Sequence, residues 1–175
     1  MALDVTRHEP GPGPPPGPAF YFDLADPEAY LIAERVLQVM PVATEWIPVR
    51  AEDLLEGGRF DAPRCAEEVE ALWASVADRV AARGLQPLRR PEPFPADTRT
   101  AMLAATFAKS IGRVVAFSLA AFRQAFAGGH DLGDENVVLI AGSACEMHPA
   151  AILKAVGTQA TERALVAAAQ GAAQR

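Results

Sequence analysis

Asp26 is the residue in this sequence best placed to do chemistry, at a sharp turn between a predicted strand and a predicted helix. Residues 20–24 are apolar and aromatic except for Asp23, which is typical of a strand covered on both faces. The Asp26 carboxylate can cap a helix, and Pro27 suits the first helical position because its ring presets φ. A strand that runs directly into a helix N-terminus gathers backbone N–H groups and a positive dipole end, which favour an anion, a thiolate or an alkoxide. The turn therefore has the geometry of a reaction centre.

The segment FYFDLADPEAYL, residues 20–31, resembles the first strand, turn and helix of the DsbA-like thioredoxin superfamily. The branch it resembles most contains 2-hydroxychromene-2-carboxylate isomerases and kappa-class glutathione transferases, with the pattern F-x-D-x-x-S-P-x-x-Y/W-L. Four residues match that pattern: Asp23, Pro27, Tyr30 and Leu31. Asp26 departs from it, because this position holds the catalytic serine of the isomerases and transferases, or the first cysteine of Cys-x-x-Cys in the disulfide oxidoreductases.

The two thiol positions of the disulfide oxidoreductases hold no sulfur here, because Ala29 stands where the second cysteine would be. Thiol–disulfide exchange needs an attacking and a resolving thiol within reach of each other. The sequence therefore excludes classical disulfide oxidase or reductase activity. The two cysteines of the chain, Cys65 and Cys145, lie outside any metal or redox spacing and are predicted to be ordinary thiols.

The composition indicates one soluble globular domain. The chain has 175 residues, 50% of them hydrophobic, which is enough for a core. A net charge of −6 without any Lys/Arg cluster argues against a nucleic-acid partner. The chain shows neither a signal-peptide pattern nor an apolar run near the roughly 20 residues needed to span a bilayer. We therefore expect a cytoplasmic protein with no membrane contact, and the Ala-, Arg- and Pro-rich usage suggests a bacterial source.

A βαβ unit is predicted near the N-terminus. Residues 1–18 contain PGPGPPPGP and are predicted to form a disordered tail, since Pro lacks a donor and Gly resists ordering. A helix over 27–39 and a second strand over 43–49 follow the first strand, which gives a right-handed βαβ unit if the strands are parallel. Asp61 is predicted to cap a long helix over 63–83.

The rest of the chain is predicted to be helical. A proline-rich linker leads to Asp97, a predicted cap, and an apolar pattern over 98–127 predicts one long helix that ends at Gly128–Gly129. Three further caps are predicted: Asp134, His148 before Pro149, and Thr158. The segments PADT and FRQAFAGGHDLGDENVV resemble parts of the same family. The resemblance implies an α/β fold, with a thioredoxin-like βαβ core at about 19–60 and a large inserted all-helical subdomain at about 61–175, both in one domain over 19–175.

The resemblance covers about residues 19–170. Thioredoxin-like domains continue with a G-V-x-G-x-P-T/S-F segment, whose cis-proline faces the catalytic turn, whereas this sequence ends at AAAQGAAQR. We therefore expect the C-terminal strands of the fold to be missing. A two-stranded sheet leaves an exposed edge, and such edges pair with other chains, so a homodimer is a hypothesis.

Each candidate site residue has a structural alternative. Asp26 is a candidate acid/base group or a simple cap, and a cap would stabilise its charged form and make it a poor base. Asp23 could orient a substrate, or pair with Arg35 or another base. Tyr30 could direct its hydroxyl to the site, or pack as an aromatic residue. Arg90, like its neighbour Arg89, could bind a substrate carboxylate, or be a solvated charge.

Pro27 completes the set of substrate- or thiol-binding candidates, with Asp23, Tyr30 and Arg90. No metal site is predicted, because His130 and His148 sit in no ligand spacing. The resemblance implies a glutathione- or other thiol-dependent isomerase or transferase of small organic compounds, under the family label of oxidoreductase. In that family the serine hydroxyl steadies the glutathione thiolate, which Asp26 would repel. The alternative function is a non-catalytic thioredoxin-fold binding or interaction protein.

Overall fold

The structure, a computed structural model, describes residues 17–54 and 65–174. Its sheet has two parallel strands, β1 (Ala19–Phe22) and β2 (Glu45–Pro48), joined by helix α1 (Pro27–Val39). The predicted βαβ unit is thus confirmed. Each strand is shorter than predicted, and β1 ends at Phe22 because the chain turns at once after it. The Asp26 amide closes that turn by donating to the Asp23 carbonyl at 3.2 Å.

The remainder of the described chain is helical. A 3₁₀ turn (Ala51–Asp53) follows β2, and six helices come after it: α2 (Ala66–Ala82), α3 (Arg99–Ser110), α4 (Val114–Phe122), α5 (Glu135–Ser143), α6 (Pro149–Val156) and α7 (Gln159–Ala173). A π-helical turn (Arg123–Ala127) extends α4. A small parallel sheet with a large helical part is the predicted architecture. Within residues 17–54 and 65–174, no helix has the length and apolarity needed to cross a bilayer.

Four predicted caps are confirmed by their hydrogen bonds. Asp26 accepts from the Glu28 amide at 2.8 Å, and three later helices begin at the expected side chains: Asp134, His148 and Thr158. Two starts differ. Thr98 takes the cap position of α3, while Asp97 accepts from the Arg99 amide at 3.0 Å. Helix α2 begins after Cys65, and the predicted cap Asp61 lies outside the described residues, as does nearly all of the predicted tail.

The single helix predicted over 98–127 is wrong, because the chain breaks between α3 and α4. Gly112 has φ +72°, a left-handed conformation that an α-helix does not contain. The Arg113 amide then donates to the Ala108 carbonyl at 2.7 Å, which closes the C-terminus of α3 and redirects the chain. Two helices that pack side by side therefore replace one long helix.

One apolar core joins the sheet to the helices. The rings of Phe20, Phe22 and Trp46 lie 5.0–5.7 Å apart on one face of the sheet, and Phe22 also contacts Phe122 of α4 at 5.9 Å. Four buried alanines allow α3 to pack closely inside this core: Ala101, Ala104, Ala105 and Ala108. A second, smaller cluster holds α2 against α1: Leu31, Val76 and Val80. The core thus fixes the end of β1 relative to the helical part.

Candidate functional site

Asp23 anchors the turn at the end of β1. Its Oδ1 accepts from the Ala25 amide at 2.9 Å, and its Oδ2 accepts from the Ala51 amide at 2.8 Å. Burial raises the pKa of this carboxyl, while the two amide bonds and the charge of Arg50 lower it by less. The nearby positive charge is therefore that of Arg50 rather than that of Arg35. Asp23 holds the β1–α1 turn against the segment that follows β2.

Asp26 caps α1 from a partly buried position. Burial is the largest effect on its carboxyl and raises the pKa, and the negative charges of Glu28 and Asp23 raise it further. Hydrogen bonds from the Glu28 and Ala29 amides lower it, but by less than the total rise. The cap hydrogen bonds thus act in the direction expected from the sequence, but burial outweighs them and the net pKa is raised. The turn holds two carboxyls that are harder to ionise than ordinary ones.

Tyr30 and Arg90 are both engaged in packing. Tyr30 is 2% exposed, and its ring lies 5.7 Å from that of Phe126, which is the packing role rather than a hydroxyl directed to the turn. The guanidinium of Arg90 lies 5.6 Å from the rings of Trp73 and Phe94, and its Nη1 is 2.6 Å from a carboxylate oxygen of Glu70. Arg90 is therefore an exposed charge that also makes specific contacts with α2. It fastens the proline-rich linker to α2.

Beside the turn lies a small cleft, with an empty volume of about 210 Å³ that includes its open mouth. Four segments meet there: the end of β1, the linker that leads to α3, the π-helical turn, and the loop before α5. The lining residues are Leu24, Ala25, Pro91, Phe94, Ala96, Thr98, Ala125, Phe126, His130 and Leu132. The walls are mostly apolar, and Thr98 and His130 supply polar side chains.

The cleft and the predicted site residues are neighbours rather than the same set. Asp23 does not line the cleft itself but contacts Thr98, which does. The Thr98 hydroxyl lies 3.5 Å from Asp23 Oδ1. Pro27 is buried at the first position of α1, and neither it nor Asp26, Tyr30 or Arg90 lines the cleft. Sequence reasoning missed Thr98 and considered His130 only as a metal ligand. The signal was present in the segments PADT and AGGHD, which both matched the family pattern.

Metal binding finds no support at the site. Across the described parts of the chain, no group of three or more His, Cys, Asp or Glu side chains is arranged to hold a metal ion. Cys145 is buried, and burial raises the pKa of its thiol. Cys65 is exposed at the start of α2. Neither cysteine lines the cleft.

A scan against family models found no match, and a search of the curated proteins found none either. Two solved structures are similar in fold. A 2-hydroxychromene-2-carboxylate isomerase superposes with a TM-score of 0.78 at 15% identity, covering 89% of this chain and 78% of that one. A probable DsbA oxidoreductase from Streptomyces coelicolor superposes with a TM-score of 0.64 at 20% identity, covering 89% and 74%. The chain therefore has the DsbA-like thioredoxin fold, in the form found in this isomerase.

Proposed function

We propose that this chain binds a small, largely apolar organic compound in the cleft beside the β1–α1 turn, without thiol–disulfide exchange. The observation that carries the proposal is the cleft itself, an apolar hollow with two polar side chains at the end of the first strand. Ligand sites in proteins are typically concave, mostly apolar and supplied with a few polar groups.

The absence of sulfur at the turn supports binding without redox chemistry. Asp26 and Ala29 occupy the two positions where this fold carries thiols in the oxidoreductases, and the two cysteines lie elsewhere. The Asp26 carboxylate bonds to the α1 amides instead of facing the cleft. Insulin reduction above the uncatalysed rate would contradict this part of the proposal.

A second candidate is a glutathione-dependent isomerase or transferase of small organic compounds. The fold match to an isomerase at a TM-score of 0.78 favours it. The helix N-terminus that would stabilise a thiolate is present, but the Asp26 carboxylate already occupies it. Two anions at one helix N-terminus repel each other, so the natural turn should bind a thiolate poorly.

Thermal-shift measurements with benzyl alcohol as the probe test the first candidate. A ligand at a hundred times its dissociation constant adds about 2.7 kcal/mol to the free energy of unfolding, which a melting curve detects. Ala96→Phe should fill the cleft and abolish the shift. Ala116→Phe, at an exposed position of α4 away from the cleft, is the control and should keep it. No shift in the natural protein would contradict the proposal.

Glutathione titrations separate the two candidates. For the natural protein we expect no shift, and for Asp26→Ser a shift, because serine keeps the cap and removes the negative charge. Asp134→Ser makes the same change at the cap of α5 and is the matched control. A shift in the natural protein would favour the thiol-dependent enzyme. No shift in Asp26→Ser would count against any thiol site at the turn.

A further inference from the structure

Helix α6 (Pro149–Val156) is capped by an imidazole. His148 lies directly before the helix, and its Nδ1 accepts from the Ala150 amide at 3.2 Å. A ring nitrogen can accept in this way only while it carries no proton, because a protonated imidazole has two N–H donors and no acceptor. The cap of α6 therefore exists only while the His148 side chain is neutral.

The other helices with side-chain caps do not depend on a group of this kind. Helices α1 and α5 are capped by aspartates and α7 by a threonine, and neither residue type loses its acceptor near neutral pH. Each of these three helices also carries a glutamate in its first turn, where a negative charge suits the helix dipole: Glu28, Glu135 and Glu162. Helix α6 has no acidic residue there. A positive charge on His148 would thus lie uncompensated at the helix N-terminus.

No carboxylate is placed to bind the protonated ring. Within the parts of the chain that the structure describes, the hydrogen-bond partner of the His148 side chain is the Ala150 amide alone. The carboxylate of Glu146, two residues earlier, pairs with Arg113 at 2.9 Å. Helices α3, α5 and α7 pack against α6. Neither their charged side chains nor the one on α6 forms a hydrogen bond or ion pair with His148: Arg99, Lys109, Glu135, Glu162, Arg163 and Lys154.

Helix α6 has little buried surface to hold it apart from its cap. Its buried residue is Ile152, which fits beside Gly142 of α5, where a Cβ would collide with Ile152 Cδ1. The Ala151 and Ile152 amides donate to the His148 carbonyl at 2.9 and 3.2 Å, so His148 begins the helix through its backbone as well. Segments with few buried contacts open locally at low cost. The first turn of α6 is therefore the part that loss of the cap can open.

We propose that His148 is a pH switch built into the start of α6. The neutral ring caps the helix, whereas the protonated ring loses its acceptor and places a positive charge at the helix N-terminus. Protonation and the cap exclude each other, so a fall in pH favours opening of the first turn. Because histidine ordinarily changes charge between about pH 5 and 8, the switch operates in mildly acid solution. His148 does not line the cleft, so this inference is independent of the proposed function.

Hydrogen exchange of the Ala150 and Ile152 amides, measured by NMR on the full chain, tests the switch. The reference is His148→Asn, which keeps a cap that does not titrate. The sequence neighbours of both amides are the same in the two proteins, so intrinsic exchange rates cancel at each pH. Loss of a cap predicts that the ratio of exchange rates, natural protein over variant, rises about fivefold between about pH 8 and about pH 5.

Two further variants serve as controls. His130→Asn removes another exposed histidine, away from α6, and should leave the rise in the ratio unchanged. His148→Ala removes the cap at every pH, so its amides should exchange faster than those of the natural protein at about pH 8 and similarly at about pH 5. In the natural protein alone, the Ala150 amide shift should follow the titration of the His148 ring.

Three results would overturn the inference. The first is a ratio of natural to His148→Asn exchange rates that does not change with pH. The second is equal exchange in the natural protein and His148→Ala at about pH 8, which would mean that the ring provides no cap. The third is a set of ring nitrogen shifts showing that Nδ1 of His148 carries the proton in the neutral form, since that tautomer cannot accept from the Ala150 amide.

Discussion

Two carboxyls of the β1–α1 turn, Asp23 and Asp26, are held where burial opposes their ionisation. The amide bonds that each accepts lower the pKa, but burial raises it by more. Each group therefore binds its proton more tightly in the folded chain than in the unfolded chain. The ionised turn costs folding free energy, and that cost is absent when the groups are protonated.

Asp26→Asn should reveal this cost in the pH dependence of stability. The ordinary pKa is 3.8, and the folded-state pKa lies above it. Between these two values the folded state holds more protons, so the stability that the natural group contributes falls as pH rises. We expect the natural protein to gain stability relative to Asp26→Asn as pH is lowered from about 7 to about 4, because asparagine keeps the cap but does not titrate. Urea unfolding at several pH values measures the difference.

The control for that experiment is Asp134→Asn, the same change at the exposed cap of α5. If the natural protein instead gained stability relative to Asp26→Asn as pH rises, the raised pKa would be contradicted.

The caps themselves were predictable from sequence, because a cap depends on residues within three positions. The pKa direction was not, since it depends on how distant segments cover the turn, as Thr98 and Ala51 do at Asp23.

At the scale of elements, the site depends on how α4 ends and how it is joined to α1. Arg123 begins the π-helical turn and makes a bidentate pair with Glu34 of α1, with N–O distances of 2.6 and 2.8 Å. The side chain of Glu34 is only 11% exposed, so this pair is partly shielded from water. The pair connects the helix that carries Asp26 to the turn that forms a cleft wall. A π-helical turn often marks a functional site, and here it carries Ala125 and Phe126 to the cleft.

The break between α3 and α4 shows what apolar spacing cannot predict. The apolar pattern continues across 98–127, because both helices bury a face in the same core. Only Gly112 marks the break, and glycine inside a helical pattern is a weak signal. The cleft escaped prediction for a related reason, since it arises where four separate segments meet. The β1–α1 turn was found because its residues are contiguous.

Gly112→Ala and Gly171→Ala should change stability in opposite directions. Gly112 has φ +72°, so a Cβ there is strained although nothing lies within 4 Å, and we expect a loss of about 1 kcal/mol. Gly171 lies in the last helix with open space around it, and alanine there should add up to about 1 kcal/mol through helix propensity. Urea denaturation measures both. Equal effects in the two variants would contradict the left-handed turn at 112.

At the scale of the whole molecule, the fold was predictable because residues 20–31 resemble the strand, turn and helix that begin a known fold, and the later segments resemble its helical insertion. What local patterns could not supply is the packing of the two parts. Leu24, the last apolar residue of the predicted strand, is fully buried, and its amide lies 3.3 Å from the Met102 sulfur of α3. Such contacts join residues 78 positions apart. Such long-range contacts decide where the cleft forms, and the spacing of apolar residues in the sequence does not predict them.

The sheet leaves one side of β1 open within the described residues. The Pro18 carbonyl accepts from Glu45 of β2, and the Phe22 carbonyl accepts from Val49 just after β2. Because backbone groups alternate in direction along a strand, Tyr21 points its N–H and C=O away from β2. An open strand edge of this kind pairs readily with another chain. We therefore expect a homodimer through β1 at micromolar concentration, measured by light scattering. Tyr21→Pro removes the outward N–H without disturbing the bonds to β2, and should yield a folded monomer.

Tyr21→Phe is the matched control for the dimer, because it changes the side chain and keeps the N–H, so it should remain dimeric. Circular dichroism checks that Tyr21→Pro stays folded. A monomeric natural protein would contradict pairing through β1. A dimer that persists in Tyr21→Pro would move the contact to another surface, where the exposed apolar side chains of Ile32 and Val39 on α1 are the next to be replaced.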